Sequence, residues 1–434
     1  MVKPPADWKG RLFQIRNDYP SITSLMKAKI ANGENPILPG PDTPIYRDPT
    51  DDAPWLKVDF KTDPEGFCKV IKGYIWEGNV INDFVVQKNR QRQWYHAPWM
   101  HWSQNGREPL SGLTFERPTP AKELSDKQTD ELQTWACGFY NEIGATVFAD
   151  IWKNKANPDW NKHVKFPKGT CVFKILMTDA KNDQVFTMTG APSLPAVIAS
   201  TIEKTGAGPR NDHHTDMRLL QVDFAVVDDR ADIGWVFGTF MYNGEMKESN
   251  PWDRIMPVGI MWGNDPELTD AKIKADPDAK PQQSWIYPQA EIIRKRLNGT
   301  RPSWGWNGRM NGPADNFISA CASCHSTSEL RPAGKKVSMV PKPTGDMRWF
   351  RNIPAGEPFN KDSKSADYSL QLMMGYGNFL KWRQLQTAKS SVLFRTKLKV
   401  PITNAYKEAQ SIDAMRQPLR ASEEDTRISA QQSK

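Results

Sequence analysis

Two cysteines and a histidine lie within five residues of one another in the last third of the chain. Cys321 and Cys324 are three positions apart, and His325 follows directly. On a helical turn, positions i and i+3 share a face, so both thiols can reach the vinyl groups on one edge of a porphyrin. The imidazole can then lie under the ring and bind its iron. This spacing is typical of covalent c-type haem attachment, and it predicts one such haem.

A zinc half-site and a thiol redox pair are the competing interpretations of a Cys-x-x-Cys pair. A zinc site needs a second pair of ligands at similar spacing, whereas Cys68, Cys137 and Cys171 are scattered singly. A thioredoxin-like pair follows a strand, but residues 304–313, before Cys321, are rich in turn-forming types. We therefore favour haem. At most one disulfide can form among the three remaining cysteines, and their spacing does not say which.

The motif and the residues after it resemble the cytochrome c family, specifically bacterial single-haem proteins in which one Cys-x-x-Cys-His follows a long non-haem region. Residues 94–99, 219–223 and 234–239 also resemble that long region. The resemblance implies one covalent haem c and a location outside the cytoplasm, but no particular reaction. Residues 1–8 lack the apolar stretch of a secretory signal. We expect that a leader has been removed and that the mature protein is periplasmic.

The second axial iron ligand in this family is usually a methionine, which raises the reduction potential. Met347 lies in an aromatic setting next to Trp349, where an iron–sulfur bond would be shielded. Met373 lies in a segment that looks helical and would bury one sulfur. We favour Met347 as the distal ligand, with Met373 as the alternative. The plain interpretation of either residue is core filling.

Four further residues are candidates for a haem pocket. Arg309 and Arg348 are suited to bind haem propionates, because a guanidinium meets a carboxylate through two parallel bonds. Either is also an ordinary surface charge in the plainer interpretation. Trp306 and Trp349 are suited to pack on the ring and exclude water, which shifts the potential.

Residues 94–102 form the densest cluster of aromatic and histidine side chains in the chain. His96 or His101 is therefore a candidate distal base or ligand above an iron, and these are the only catalytic candidates that we name. The alternative is that both are hydrogen-bonded histidines in an aromatic core.

Composition limits the partners. The net charge is +8, and Lys and Arg are spread along the chain rather than gathered in blocks, which indicates a solvated surface and no nucleic-acid arm. This excess of positive charge favours docking to an acidic redox protein, with an association rate that depends on salt concentration. No run approaches the 18 apolar residues of a membrane span, so we predict no transmembrane segment.

The 434 residues predict four regions. Residues 1–54 form an irregular arm rich in Pro and Gly, and residues 55–284 form a β-rich body. Residues 285–420 form the c-type haem region, and residues 421–434 form a polar tail. The predicted fold class is α+β, with an antiparallel β-rich N-terminal body that packs a helix, and a mainly helical C-terminal region like cytochrome c.

Local patterns assign several elements. Residues 171–176, 219–227 and 235–241 are β-branched and aromatic runs bounded by turn residues, and we expect strands there. Strands are also expected within residues 55–95. A helix is expected from Ser125 to Ile151, because apolar residues recur at intervals of three and four.

Three function classes fit these features. Electron transfer by a six-coordinate haem is the preferred one. A haem enzyme of peroxidase or oxygenase type is the first alternative, because the chain is far longer than a simple carrier requires. A haem-based sensor with an open distal site is the second.

Overall fold

The computed structural model describes most of the chain between residues 53 and 397. The described residues are 4, 6–8, 10, 12–25, 53–100, 107–108, 110–161, 163–181, 183–199, 212–297, 301–330, 338–341 and 345–397. His101, the predicted tail at 421–434 and most of the predicted arm at 1–54 lie outside these residues.

A nine-stranded antiparallel sheet forms the centre of the described structure. Seven strands follow the order β1-β3-β4-β6-β7-β8-β9, while β2 pairs with β3 and β5 pairs with β6. The strands are β1 (Trp94–Tyr95), β2 (Thr114–Phe115), β3 (Thr134–Asn141), β4 (Cys171–Thr178), β5 (Ser193–Ala199), β6 (Asp212–Val227), β7 (Trp235–Tyr242), β8 (Ile255–Met261) and β9 (Ser284–Ile286). A separate pair consists of β10 (Glu329–Leu330) and β11 (Lys364–Ser365).

Besides the helical residues 22–25, six α-helices accompany this sheet in the part of the chain that is described. They are α1 (Pro64–Trp76), α2 (Glu142–Ile151), α3 (Asp270–Ala275), α4 (Pro288–Arg296), α5 (Cys321–His325) and α6 (Leu370–Lys397). None of them is long and apolar enough to cross a bilayer.

The two faces of the sheet carry separate apolar clusters, because successive side chains of a strand point to opposite faces. Phe139 and Phe173 lie on one face with the buried side of α1. Tyr140 and Phe237 lie on the other face, in a cluster that continues into residues 310–372. The segment around α5 is therefore packed directly against the sheet.

The predicted fold class is wrong in its C-terminal part, where no mainly helical cytochrome c-like region is present among the described residues. Among the described residues between 301 and 369, the α-helical structure is limited to the five residues of α5. The long helix described in this part of the chain is α6. Turn-forming residues are frequent in this segment, and its apolar side chains are buried against the sheet rather than in a helical core of their own.

The predicted helix from Ser125 to Ile151 is also wrong over most of its length. Residues 134–141 are strand β3, and only residues 142–151 form a helix. Every residue of β3 is buried, since both faces of this strand are covered. A strand that is apolar on both faces loses the alternation that would identify it, and its spacing then resembles that of a helix.

The strands expected at 171–176, 219–227 and 235–241 are confirmed as parts of β4, β6 and β7. Residues 55–95 were expected to form strands, but they contain helix α1 and short 3-10 turns before β1.

Asp63 begins the helix α1, because its carboxylate accepts a hydrogen bond from the Gly66 backbone N–H at 2.9 Å, and Pro64 occupies the first helical position.

Candidate haem-attachment site

The short helix α5 places Cys321, Cys324 and His325 on a single turn. Its start is fixed by Ser323, whose hydroxyl accepts from the Ala320 N–H at 2.8 Å. The Ala322 N–H donates to the Met261 sulfur of strand β8 at 3.3 Å, which ties the helix to the sheet. The intervening Ala322 and Ser323 are fully buried, whereas the two cysteines and His325 are half-buried. Ala322 and Ser323 thus anchor α5, while the two cysteines and His325 keep part of their surface accessible.

The imidazole of His325 is held in one orientation. Its Nδ1 lies 2.8 Å from the carbonyl oxygen of Tyr368, and its ring lies 5.0 Å from the ring of Phe237 on strand β7. Because a carbonyl only accepts, Nδ1 carries the proton and Nε2 keeps its lone pair. Burial lowers the pKa of His325 to about 4, so the ring is neutral at pH 7. A neutral imidazole with Nδ1–H on a backbone carbonyl is the usual form of a histidine that binds metal through Nε2.

The carbonyl that receives this bond belongs to a strained piece of backbone. Asp367 and Tyr368 both have positive φ angles, 48° and 64°, which non-glycine residues rarely adopt. The Asp367 carboxylate holds the segment, because it accepts from the Phe166 N–H at 2.5 Å, from the Gly356 N–H at 2.8 Å and from the Trp235 indole at 3.2 Å. Strain of this kind persists where the surroundings enforce it and is common at functional sites.

The two thiols of α5 are protonated at neutral pH. Burial and the nearby carboxylate of Asp315 raise the pKa of Cys321 well above its ordinary value and that of Cys324 to about 12. The Cys321 thiol lies 3.3 Å from the side-chain oxygen of Asn311. Reactive redox cysteines and zinc ligands are thiolates, with a lowered pKa. The environment of α5 therefore favours the neutral form of both thiols.

A row of polar side chains crosses the sheet next to α5. Lys174 of β4 lies directly opposite Asp223 of β6, and Asp223 lies opposite Thr239 of β7. The Lys174 ammonium is 3.2 Å from Asp223 and 3.5 Å from Glu116. Asp223 and Phe237 are diagonal neighbours on this face, about 7 Å apart at Cα. The charged row thus lies two residue pairs along the strands from Phe237, the residue whose ring contacts His325.

The row is partly shielded from water, because the side chains of Lys174, Asp223 and Glu116 are 24%, 19% and 31% exposed. Burial raises the pKa of Asp223 to about 6, although Lys174 acts in the opposite direction. Burial likewise raises the pKa of Glu116. Burial opposes the charge on Lys174, yet Glu116 and Asp223 together raise the Lys174 pKa well above its usual value. The charges of Lys174 and Asp315 also act on the pKa of His325, so the row and the imidazole share one electrostatic environment.

The two methionine candidates lie in different elements. Met347 begins a 3-10 turn, Met347–Phe350, that contacts α5, and its side chain is half-buried in the apolar cluster on that face of the sheet. Met373 is half-buried against the same cluster from α6, a helix that packs on β10. The segment that carries Met347 is therefore in contact with α5.

Arg309 is fully buried, and its guanidinium is used within the protein. It donates to the carbonyl oxygens of Asn264, Asp265 and Leu268 at 2.8 to 2.9 Å, and burial lowers its pKa to about 10. It joins residues 264–268 to the segment that leads to α5. The structure thus gives Arg309 a structural role and does not place it for the expected binding of a propionate.

The other pocket candidates lie on the same side of the sheet. Arg348 is exposed, with its guanidinium 5.0 Å from the ring of Trp349. Trp349 is buried, and its indole donates to the carbonyl of Ser338 at 3.0 Å. Trp306 is half-buried and lines a surface pocket of about 310 Å³ together with Phe317. Both tryptophans pack in or against the cluster that contains Phe237.

His96 lies on the other face of the sheet from His325. Its ring is 5.1 Å from Phe139, and its Nδ1 accepts from the Arg16 N–H at 2.8 Å. The Tyr19 hydroxyl donates to the His96 carbonyl at 2.7 Å. Burial keeps the pKa of His96 well below its usual value. The structure does not bring this histidine together with α5, and it serves to hold residues 16–19 on the body.

Sequence reasoning did not identify several residues around α5. Tyr368 contributes a backbone carbonyl, which no residue type indicates. The Phe237 contact and the Lys174 row depend on strand register across a sheet whose pairing was not predicted. Asp367 lies in a polar stretch, residues 361–369, where an acidic residue gives no signal of burial.

Comparison with protein-family models, with curated proteins and with solved structures gives no match. Within the described residues, no group of three or more His, Cys, Asp and Glu side chains is arranged to hold a metal ion without haem. The five cysteines are all among these residues, and no disulfide links any two of them.

Proposed function

We propose that this chain is a c-type haem protein with one haem, held by Cys321 and Cys324 through thioether bonds and by His325 through an iron–nitrogen bond. The observation that carries the proposal is the hydrogen bond from His325 Nδ1 to the Tyr368 carbonyl, because it leaves Nε2 as the free donor. Each neutral thiol would add its sulfur and its proton across one vinyl double bond, so no atom is lost. The iron, when bound, supplies a one-electron couple.

The role that we propose is electron transfer. His325 is fixed by Tyr368 and Phe237, and Asp367 in turn fixes the backbone of Tyr368. Such a rigid proximal side keeps the coordination nearly constant when the charge of the iron changes, which a carrier requires. Met347 is the distal ligand in this proposal. A periplasmic location and an acidic redox partner, suggested by the resemblance to cytochrome c and by the net charge of +8, belong to the same proposal.

Absorbance of the haem in alkaline pyridine tests the attachment. The full chain would be produced in bacteria that carry the c-type haem maturation machinery, as wild type, as Cys321→Ala and as Cys324→Ala. The reduced α-band should move stepwise to longer wavelength with each lost thioether, since each loss restores one conjugated vinyl group. Cys68→Ala, which alters a buried cysteine on the other face of the sheet, is the matched control and should leave the band unchanged. An α-band that does not respond to either α5 variant would contradict the proposal.

A haem enzyme is the second candidate function, and the charged row favours it. The charge of Lys174 acts on His325, and Asp223 and Glu116 are the ion-pair partners of Lys174, so the row could donate and accept protons there, which a simple carrier does not need. Binding of carbon monoxide separates the two functions. A six-coordinate carrier should show no spectral change with carbon monoxide in the ferrous state. Rapid binding would instead show an open iron position and support an enzyme or sensor.

A further inference from the structure

A continuous series of aromatic rings leads from the haem-attachment site to the surface. The ring of Phe237 lies 5.0 Å from that of His325, and the ring of Trp235 lies 6.2 Å further on. The series continues through Phe166, Phe148, Trp152 and Trp160, with successive centroids 5.7, 6.2, 6.4 and 4.6 Å apart.

The inner part of this series is buried and fixed. Phe237, Trp235, Phe166 and Phe148 are each at most 3% exposed. The carboxylate of Asp367 accepts both from the Trp235 indole and from the Phe166 backbone. The residue that supports the His325 environment therefore also fixes the first rings of the series.

At its outer end the series opens onto a patch of four half-buried aromatic side chains, which we call the Trp160 patch. The ring of Tyr376 lies 4.0 Å from that of Trp160, and the ring of Trp382 lies 5.2 Å from that of Trp99. The buried Phe379 connects the two pairs from below. Large amphipathic rings that are partly exposed and rigidly supported are typical of protein interfaces.

The chain segments that carry this patch are rich in exposed basic side chains. Lys364 donates to the Trp160 carbonyl at 3.1 Å, and Arg383 donates to Asn157 at 3.4 Å. The segments 150–160, 361–364 and 376–383 carry six exposed basic side chains against three exposed acidic ones. The basic residues are Lys153, Lys155, Lys361, Lys364, Lys381 and Arg383, and the acidic ones are Asp150, Asp159 and Asp362. This balance is complementary to a negatively charged surface.

We propose that the Trp160 patch is the docking surface for an acidic redox protein and that electrons pass between this partner and the haem along the buried aromatic rings. The proposal rests on the proposed function as an electron-transfer protein. The reduced partner would supply one electron, which the ferric haem, when bound, would take up, and no proton or atom would be transferred.

The rate of reduction by an acidic protein tests the docking surface. The probe is a reduced plant-type [2Fe–2S] ferredoxin, a small acidic protein with a potential of about −400 mV, mixed with the ferric full chain in a stopped-flow instrument. Lys153, Lys155 and Lys381 are replaced together by Glu. At an ionic strength of about 10 mM, where screening is weak, we expect the second-order rate constant to fall about tenfold or more. At about 1 M the difference from wild type should largely disappear.

A second triple variant is the matched control. Replacement of Lys272, Lys274 and Lys280 by Glu changes the net charge by the same amount at exposed positions on and after helix α3. We expect the rate constant of this variant to fall much less than that of the patch variant. Equal losses in the two variants would overturn the docking surface, because they would reflect net charge alone.

Substitution of single rings tests the route. Trp160→Leu should slow reduction by the ferredoxin, while reduction by dithionite, a small reagent that needs no docking, should keep its rate. Trp285→Leu on β9 is the matched control, and Tyr376→Leu replaces the first variant if that one folds poorly. A ferredoxin rate that is unchanged in the ring variants would overturn the route.

If the proposed haem-protein function itself is wrong, these experiments give a result that differs from failure of the docking surface. If no haem is attached to the wild type, dithionite itself produces no ferrous spectrum. If haem is attached and dithionite reduces it, but the patch variant and the control variant react alike with the ferredoxin, only the docking proposal is overturned.

Discussion

Removal of the Asp367 carboxylate should destabilise the protein strongly and disturb the environment of His325. In Asp367→Ala, three donors lose their acceptor, namely the Phe166 and Gly356 backbone N–H groups and the Trp235 indole. Asp367 is fully buried. A buried donor without a partner costs about 1 to 3 kcal/mol. Allowing for local relaxation, we expect a loss of about 4 kcal/mol in the free energy of unfolding, a large part of the total stability of an ordinary protein.

Urea denaturation followed by tryptophan fluorescence measures this loss, with Asp229→Ala as the control. Asp229 is exposed and pairs with Lys168 on the surface at 2.9 Å, an interaction worth at most about 1 kcal/mol. The haem spectrum is the second observable. Because Asp367 holds the backbone of Tyr368, its loss should also increase the high-spin fraction of the ferric haem. A transition midpoint that moves no further than that of the control would refute the reasoning.

Three other expectations follow from the same region. Met347→Ala should abolish the far-red sulfur-to-iron band of the ferric protein, and loss of the band in Met373→Ala alone would identify the other sulfur as the ligand. Burial raises the pKa of Asp367 from 3.8 to about 6. Because the pKa is higher in the folded state, protonation of Asp367 favours folding. This contribution to the free energy of unfolding, about 3 kcal/mol, is fully present below pH 4 and is lost as the pH rises through 6. Asp367→Asn should flatten the unfolding free energy between pH 4 and 7, and an unchanged slope would contradict this. Lys174→Met should cost about 2 kcal/mol, because it leaves two partly buried carboxylates without their cation. Lys168→Met is the surface control. Equal losses of unfolding free energy in the two lysine variants would contradict a stabilising role of the charged row.

The sequence predicted the structure best for strands bounded by turn residues and for the motif whose residue spacing has a chemical function. The spacing of Cys321, Cys324 and His325 predicted a helical turn that presents all three, and the structure contains that turn as α5. The strands at 171–176 and 219–227 were recognisable because branched and aromatic runs ended at turn residues.

The remaining features depended on tertiary context. Strand β3 is buried on both faces and therefore resembled a helix in its apolar spacing. Arg309 looked like a candidate for a carboxylate partner, but its four hydrogen bonds go to backbone carbonyls, which have no signature in the sequence. His96 had a suitable chemical character but lies on the opposite face of the sheet. Residue type predicts chemistry, whereas the face and the register that bring groups together are decided by the fold.

Mass spectrometry of the polypeptide after extraction with acidified acetone tests the central claim most directly. The full chain would be isolated from bacteria that attach c-type haem, extracted and digested. We predict that the colour stays with the protein and that the peptide containing Cys321 and Cys324 has gained the mass of one haem. A colour that leaves with the solvent, or a peptide of unmodified mass with two thiols that react with an alkylating reagent, would contradict the account.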